Sequence, residues 1–231
     1  MSMHLGSGEK ALVRQVHGCD QFDLAAQMGL LASDMTAVHC YEIDDAEIVQ
    51  LAESGAHQAH CPFMNQFRGE IAPIQELRRR GMNVGLGIDN YFSDYFDLLR
   101  ACIASARIRD HDPNVLSAIS VLRLATIDSA RSLGMDAQTG SLEKGKKADL
   151  QIVNMRRLGL TPSNDAVATL VYHARAKDVD VVMIDGRVLV SEGKVCDVGE
   201  DELLSAAQQA ADGAWSRFAL RHGAYVAPTL A

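Results

Sequence analysis

Over its first hundred residues the chain alternates short apolar runs with stretches whose apolar positions recur at helical spacing. Residues 35–39 (MTAVH), 56–60 (AHQAH) and 83–88 (NVGLGI) each run into a polar or Gly/Pro-containing turn, as brief buried strands do. Between them, residues 44–54 and 71–80 place Ile48, Val49 and Leu51, then Ile71, Ile74 and Leu77, on helical faces. Gly55 and Gly81 follow directly as C-terminal stops. Strand and helix in alternation predict an α/β fold with a parallel sheet. Residues 95–107 and 114–133 read as two long helices separated at Asp112-Pro113. After Gly134 the rhythm changes to turns and β-branched strands, over residues 149–154 and 181–190, with a hairpin at Asp185-Gly186. Residues 201–223 read as a final amphipathic helix.

Composition narrows the partners. With 48% hydrophobic and 23% charged residues the chain has the makeup of a globular protein rather than of a disordered tail. Its net charge is −8 and its longest basic run is Arg78, Arg79 and Arg80, so it carries no electrostatic footprint for nucleic acid or an anionic membrane. No apolar window is long enough to span a bilayer, and the start MSMHLGSGEK lacks a signal pattern; the expected location is cytoplasmic. The 5 cysteines contain no Cys-x-x-Cys pair and read as free thiols. Met28 and Met35 read as core filler.

The chemistry is suggested by position. His4, His39, His60 and Asp89 each fall at or just past the C-terminal end of an expected parallel strand. In a parallel barrel those side chains converge at the face where such folds build their sites. Imidazoles with one carboxylate suit one divalent metal, zinc or iron. Plainer readings exist for each: a structural histidine at a strand end for His39 or His60, and a capping or turn aspartate for Asp89, with Asn90 and Ser93 continuing the turn.

Several motifs then coincide. The run His60-Cys61-Pro62, then Asn65, Ile71-Ala72-Pro73-Ile74, and residues 81–90 (GMNVGLGIDN), resembles the cytosine deaminase-like branch of the amidohydrolase superfamily, which includes the triazine hydrolases and the adenosine-analogue and guanine deaminases. Val38-His39-Cys40, His4-Leu5, Ala125-Thr126 and residues 140–150 (GSLEKGKKADL) extend the resemblance from residue 3 to about 196. It implies a partial (β/α)8 TIM-like barrel, strands five to eight, with a fragment of a C-terminal β-sandwich. The corresponding divisions are residues 1–134 for the half-barrel, 135–199 for the sandwich fragment, and 200–231 for a C-terminal helix packing on the barrel. By the same resemblance His4 and Asp89 are metal ligands, Asp89 and His39 are catalytic, and His60 and Asn65 face the substrate, a small nitrogen heterocycle whose non-peptide C–N bond is hydrolysed.

Two departures from the family pattern stand out. No His-x-His pair, the family's first metal-binding element, occurs anywhere in the 231 residues. Ser7 stands three residues after His4, where deaminases of this branch place a Glu that acts as an acid, and Glu9 follows two residues later. An open half-barrel exposes edges and core, which predicts a homo-oligomer in which copies cover each other, or else a truncated chain. The competing reading is a catalytically inactive remnant with no complete metal site. Phe63, Met64, Tyr91 and Phe92 indicate only a partly aromatic or apolar binding surface.

Overall fold

The structure, a computed structural model, describes residues 1–90 and 94–223; Tyr91, Phe92 and Ser93 lie outside the described residues. Its first part runs β1 (Ser2–Leu5), α1 (Lys10–His17), α2 (Gln21–Gln27), β2 (Thr36–His39), α3 (Asp45–Glu53), β3 (His57–His60), α4 (Pro62–Phe67), α5 (Ile74–Arg79) and β4 (Asn83–Leu86). The four strands form one sheet in chain order, every neighbouring pair parallel. Register levels the C-terminal ends: Leu5 lies opposite His39, and His60 opposite Leu86. The strand-end histidines are therefore delivered to one rim of the sheet.

The second part runs α6 (Tyr95–Asp110), α7 (Ala118–Ala125), α8 (Ile127–Ser132), β5 (Leu150–Val153), α9 (Ala166–His173), β6 (Val179–Ile184), β7 (Arg187–Ser191), β8 (Lys194–Val195) and α10 (Glu200–His222). Strands β5 to β8 make a separate antiparallel sheet in chain order. The chain is thus mixed α/β, with one parallel and one antiparallel four-stranded sheet.

Local chemistry sets the helix starts. Asp44 accepts from the backbone of Ala46 and Glu47 while the Glu47 side chain accepts from Asp44 N, a reciprocal cap that fixes the first turn of α3. Asp94 caps α6 by accepting from Phe96 N at 2.9 Å. The core joins sheet to helices through Leu5, Phe22, Met35, Leu51, Leu77, Leu98 and Leu124, all essentially inaccessible. Gly85 is required where α8 crosses β4: a Cβ there would sit 2.9 Å from Ser129 Oγ and 3.0 Å from Ser129 Cα. Ser129 Oγ accepts from Leu86 N at 3.1 Å across this contact.

Three expectations need correction. The helix expected over residues 114–133 is two, because Thr126 leaves helical geometry (φ −122°, ψ −97°) and its hydroxyl donates to Leu122 O at 2.8 Å. Met28 is 63% exposed beyond the end of α2, whereas Met35 fills the core. Helices α1, α2 and α9 were not foreseen; α9 is rich in β-branched residues, and its start is decided by Asp165, which accepts from Val167 N and Ala168 N. The final helix forms as expected, but none of its side chains is buried.

Candidate active site

The site is organised by two residues in left-handed backbone conformation. His39 ends β2 with φ 73°, and Asp89 lies in the loop after β4 with φ 62°. A side-chain-bearing residue pays about 1–2 kcal/mol for that geometry, so the surroundings must hold it. Buried Gln58 on β3 donates from Nε2 to His39 O at 2.9 Å, and Cys40 N donates to Leu5 O at 3.1 Å. Gly87 N donates to His60 O at 2.8 Å, tying the loop that carries Asp89 to the end of β3. A Cβ on Gly87 would lie 2.9 Å from Cys61 Sγ, so a larger residue would push that loop away.

His39 is fully buried, and its Nδ1 lies 3.0 Å from Asn65 Oδ1. A carboxamide oxygen only accepts, so Nδ1 carries the proton and the neutral ring presents the Nε2 lone pair. That nitrogen faces Asp89 Oδ2 at 3.5 Å. Two acceptors facing each other define a place for a shared proton, a donor or a cation. Burial pushes the His39 imidazole below the ordinary histidine range; the Asn65 hydrogen bond and the Asp89 charge oppose this, and His4 adds to it.

His4 meets His39 edge to face with ring centroids 4.7 Å apart. Its Nδ1 lies 3.9 Å from Glu9 Oε1, and its side chain is 56% exposed. Glu9 is held in turn by the buried Ser7, whose hydroxyl lies 2.7 Å from Oε2 and whose backbone N donates to the same oxygen at 3.2 Å. Burial raises the Glu9 carboxyl, but the bonds from Ser7, the backbone and the nearby His4 outweigh it and hold it below the usual carboxylate range. His60 is fully buried with neither ring nitrogen partnered among the described residues. Burial, reinforced by His39, pushes it down to about 3.

His4, Asn65 and Asp89 are thus each brought against His39, while His60 lies enclosed nearby. Among the described residues, one group of metal-ligating side chains has all its donor atoms within 4.8 Å of one another: His39, Cys61 and Asp89. His4 is outside that group. The Cys61 thiol is pushed up to about 12 by burial and by the Asp89 charge. Cys61 and Gln58 were missed from sequence. The available signal for Cys61 was its place directly after a strand-end histidine; Gln58, mid-strand, gave none.

The sequence profile of the amidohydrolase family matches residues 1–189. A 5-methylthioadenosine/S-adenosylhomocysteine deaminase of Moorella thermoacetica is 37% identical over 210 residues, 88% of this chain and 49% of that protein. A 5'-deoxyadenosine deaminase of Methanosarcina mazei is 32% identical over 209 residues, 88% of this chain and 48% of that one. Among solved structures, a zinc-bound adenosine deaminase from Xanthomonas campestris superposes with a TM-score of 0.86 at 28% identity, covering 92% of this chain and 50% of that chain. The zinc complex of atrazine chlorohydrolase from Arthrobacter aurescens shares the fold with a TM-score of 0.79 at 23% identity, over 90% of this chain and 48% of that chain. The chain spans about half the length of the curated relatives it matches. With the profile matched across most of its length, this chain belongs to the amidohydrolase family.

Proposed function

We propose that this chain is the C-terminal half of a metal-dependent amidohydrolase that deaminates a nitrogen heterocycle of the adenosine type. In this reading the parallel sheet is strands five to eight of an eight-stranded barrel, residues 135–199 are a sandwich fragment, and α10 (Glu200–His222) is the C-terminal helix appended to them. The observation that carries the proposal is the convergence of His4, His39 and Asp89 at one rim of a parallel sheet, where parallel barrels place their chemistry. The substrate class rests on relatives named as deaminases of adenosine derivatives. The antiparallel sheet leaves Ile152 and Ile184 about half exposed, which suits strands supplied from outside the chain.

The donors are of the kind that holds a divalent ion: His4 and Asp89 would hold it, with further ligands from outside the chain, His4 closing in from beyond the group formed by His39, Cys61 and Asp89. When bound, such an ion makes water a usable nucleophile near neutral pH. The chain's own residues then manage protons. Asp89 Oδ2 and His39 Nε2, facing each other at 3.5 Å, accept one proton between them as water adds to the ring carbon and return it to the departing amine. Asn65 keeps His39 in the tautomer that leaves Nε2 free to accept. Ser7 has no acidic proton to give at neutral pH; Glu9, tied by Ser7 and held below the usual carboxylate range, is an ionised carboxylate 3.9 Å from His4 that would act first as a proton acceptor.

A second reading is an inactive remnant of such an enzyme with no complete metal site. Elemental analysis of the purified chain, with His4→Ala and Asp89→Ala alongside and ammonia release from 5-methylthioadenosine as the activity readout, separates the two. About one zinc per chain, lost in both variants, supports the proposal. No metal above background leaves the remnant.

A further inference from the structure

We propose that α10 pairs with α10 of a second copy of this chain in antiparallel orientation about Ala211. The helix has 23 residues, none buried, and at 1.5 Å per residue it extends about 34 Å. Leu204, Ala207, Ala211, Ala214 and Phe218 recur at alternating spacings of three and four, the period that keeps one seam facing a partner helix. Leu204 is 68% and Phe218 42% exposed, and Phe218 is braced on its own helix by edge contact with Trp215 at 5.9 Å between ring centroids.

Charge selects the occupant. The first turn of α10 is acidic, with Glu200, Asp201 and Glu202, and its last turn is basic, with Arg221 and His222. A helix with that distribution is complementary to itself reversed. Antiparallel pairing about Ala211 sets Asp201 beside Arg221, Glu200 beside His222 and Leu204 against Phe218, twice each by symmetry, with small residues at the crossing. This makes an isologous, closed interface. A parallel pair would instead put acid on acid and base on base. The arrangement gives the homo-oligomer expected from sequence a definite surface, and it is independent of the catalytic reading.

The test uses the full chain. Sedimentation across a concentration series is expected to show a reversible monomer–dimer equilibrium. Under mild oxidation Ala211→Cys should give a disulfide-linked dimer above the level of the parent, which has its own cysteines. Leu204→Cys alone should give none above the parent, and a mixture of Leu204→Cys with Phe218→Cys should give the mixed dimer. Asp201→Lys and Arg221→Glu should each weaken the dimer about tenfold, two like-charge contacts replacing two attractive ones, and the double variant should recover it. A monomer at every concentration overturns the proposal, leaving the face of α10 to some other segment. So does a dimer in which Leu204→Cys links to itself, or one that ignores the charge exchange.

Discussion

Acid should unfold this chain partly through one histidine. His60 is inaccessible, and neither of its ring nitrogens has a partner among the described residues; it is pushed down to about 3 from an unfolded value of 6.5. The folded state therefore keeps it neutral while the unfolded state protonates it. Below pH 6.5 the unfolded chain binds more protons, so the contribution to stability is complete above 6.5 and drains away as pH falls toward 3. At about 1.4 kcal/mol per pKa unit, lowering the pH from 7 to 4.5 removes roughly 2–3 kcal/mol through His60 alone. His39 and His57, both held below the ordinary range chiefly by burial, slope the same way.

The perturbation that isolates His60 is His60→Leu, which removes the titrating ring and two unsatisfied polar atoms at similar bulk. Its stability at pH 7 should be close to the parent's or higher, since replacing an unpartnered buried polar group by a hydrocarbon removes a desolvation penalty of about 1–3 kcal/mol. Urea unfolding followed by circular dichroism at pH 7.0, 6.0, 5.0 and 4.5 measures both chains. The difference between them should grow in favour of the variant by about 2–3 kcal/mol over that range, the common carboxylate titrations cancelling. Parallel curves would mean that His60 reaches a donor or solvent in the folded chain, and the account of an enclosed neutral imidazole would be wrong.

Gly6→Ala should destabilise by about 2 kcal/mol or more, because Gly6 has φ +61° and a Cβ there would meet Ile43 Cγ2 at 2.5 Å; an unchanged urea midpoint would show that the loop after β1 relaxes freely. Asp44→Ala removes the reciprocal cap of α3 and should cost about 1 kcal/mol, read as a fall of roughly 2–4 °C in Tm. Leu124→Ala, at a core site with 1% exposure, should cost about 2–5 kcal/mol; a loss well under that would mean the helices beneath the sheet collapse into the gap. Asn65→Asp places a negative charge where Oδ1 now sits 3.0 Å from His39 Nδ1. The His39 pKa should rise by about 1–3 units in an NMR titration of its ring protons, and no rise would break the tautomer assignment.

What could be read from sequence was position along strands. His39 and His60 are legible because each closes a short apolar run, and parallel register then levels those ends by geometry alone. Asp89 is legible for the same reason, following the run NVGLGI. Periodicity could not show where the chain abandons regular dihedrals. The segment around LRLATIDSA keeps helical spacing through Thr126, yet the helix breaks there, at φ −122° and ψ −97°, with the Thr126 hydroxyl turned back on Leu122 O. Nor do spacing and propensity encode the left-handed turn at His39, φ 73°, where Gln58 on the next strand holds its carbonyl.

Ser7 shows where sequence reading meets its physical limit. Alone on the page it is a loss, a hydroxyl where an acid is wanted. In the fold its hydroxyl and backbone N–H both address Glu9, which brings a carboxylate to 3.9 Å from His4 along a loop that helical or strand periodicity does not describe. The position of Glu9 is set by Ser7, whose one hydroxyl proton is shared between the two carboxylate oxygens and whose backbone N–H donates to Oε2, so a carboxylate two residues further along the chain still arrives beside His4. A carboxylate displaced along the chain is therefore still present beside His4, and the charge of this rim is better judged by where the Glu9 carboxylate lies than by the residue three places after His4.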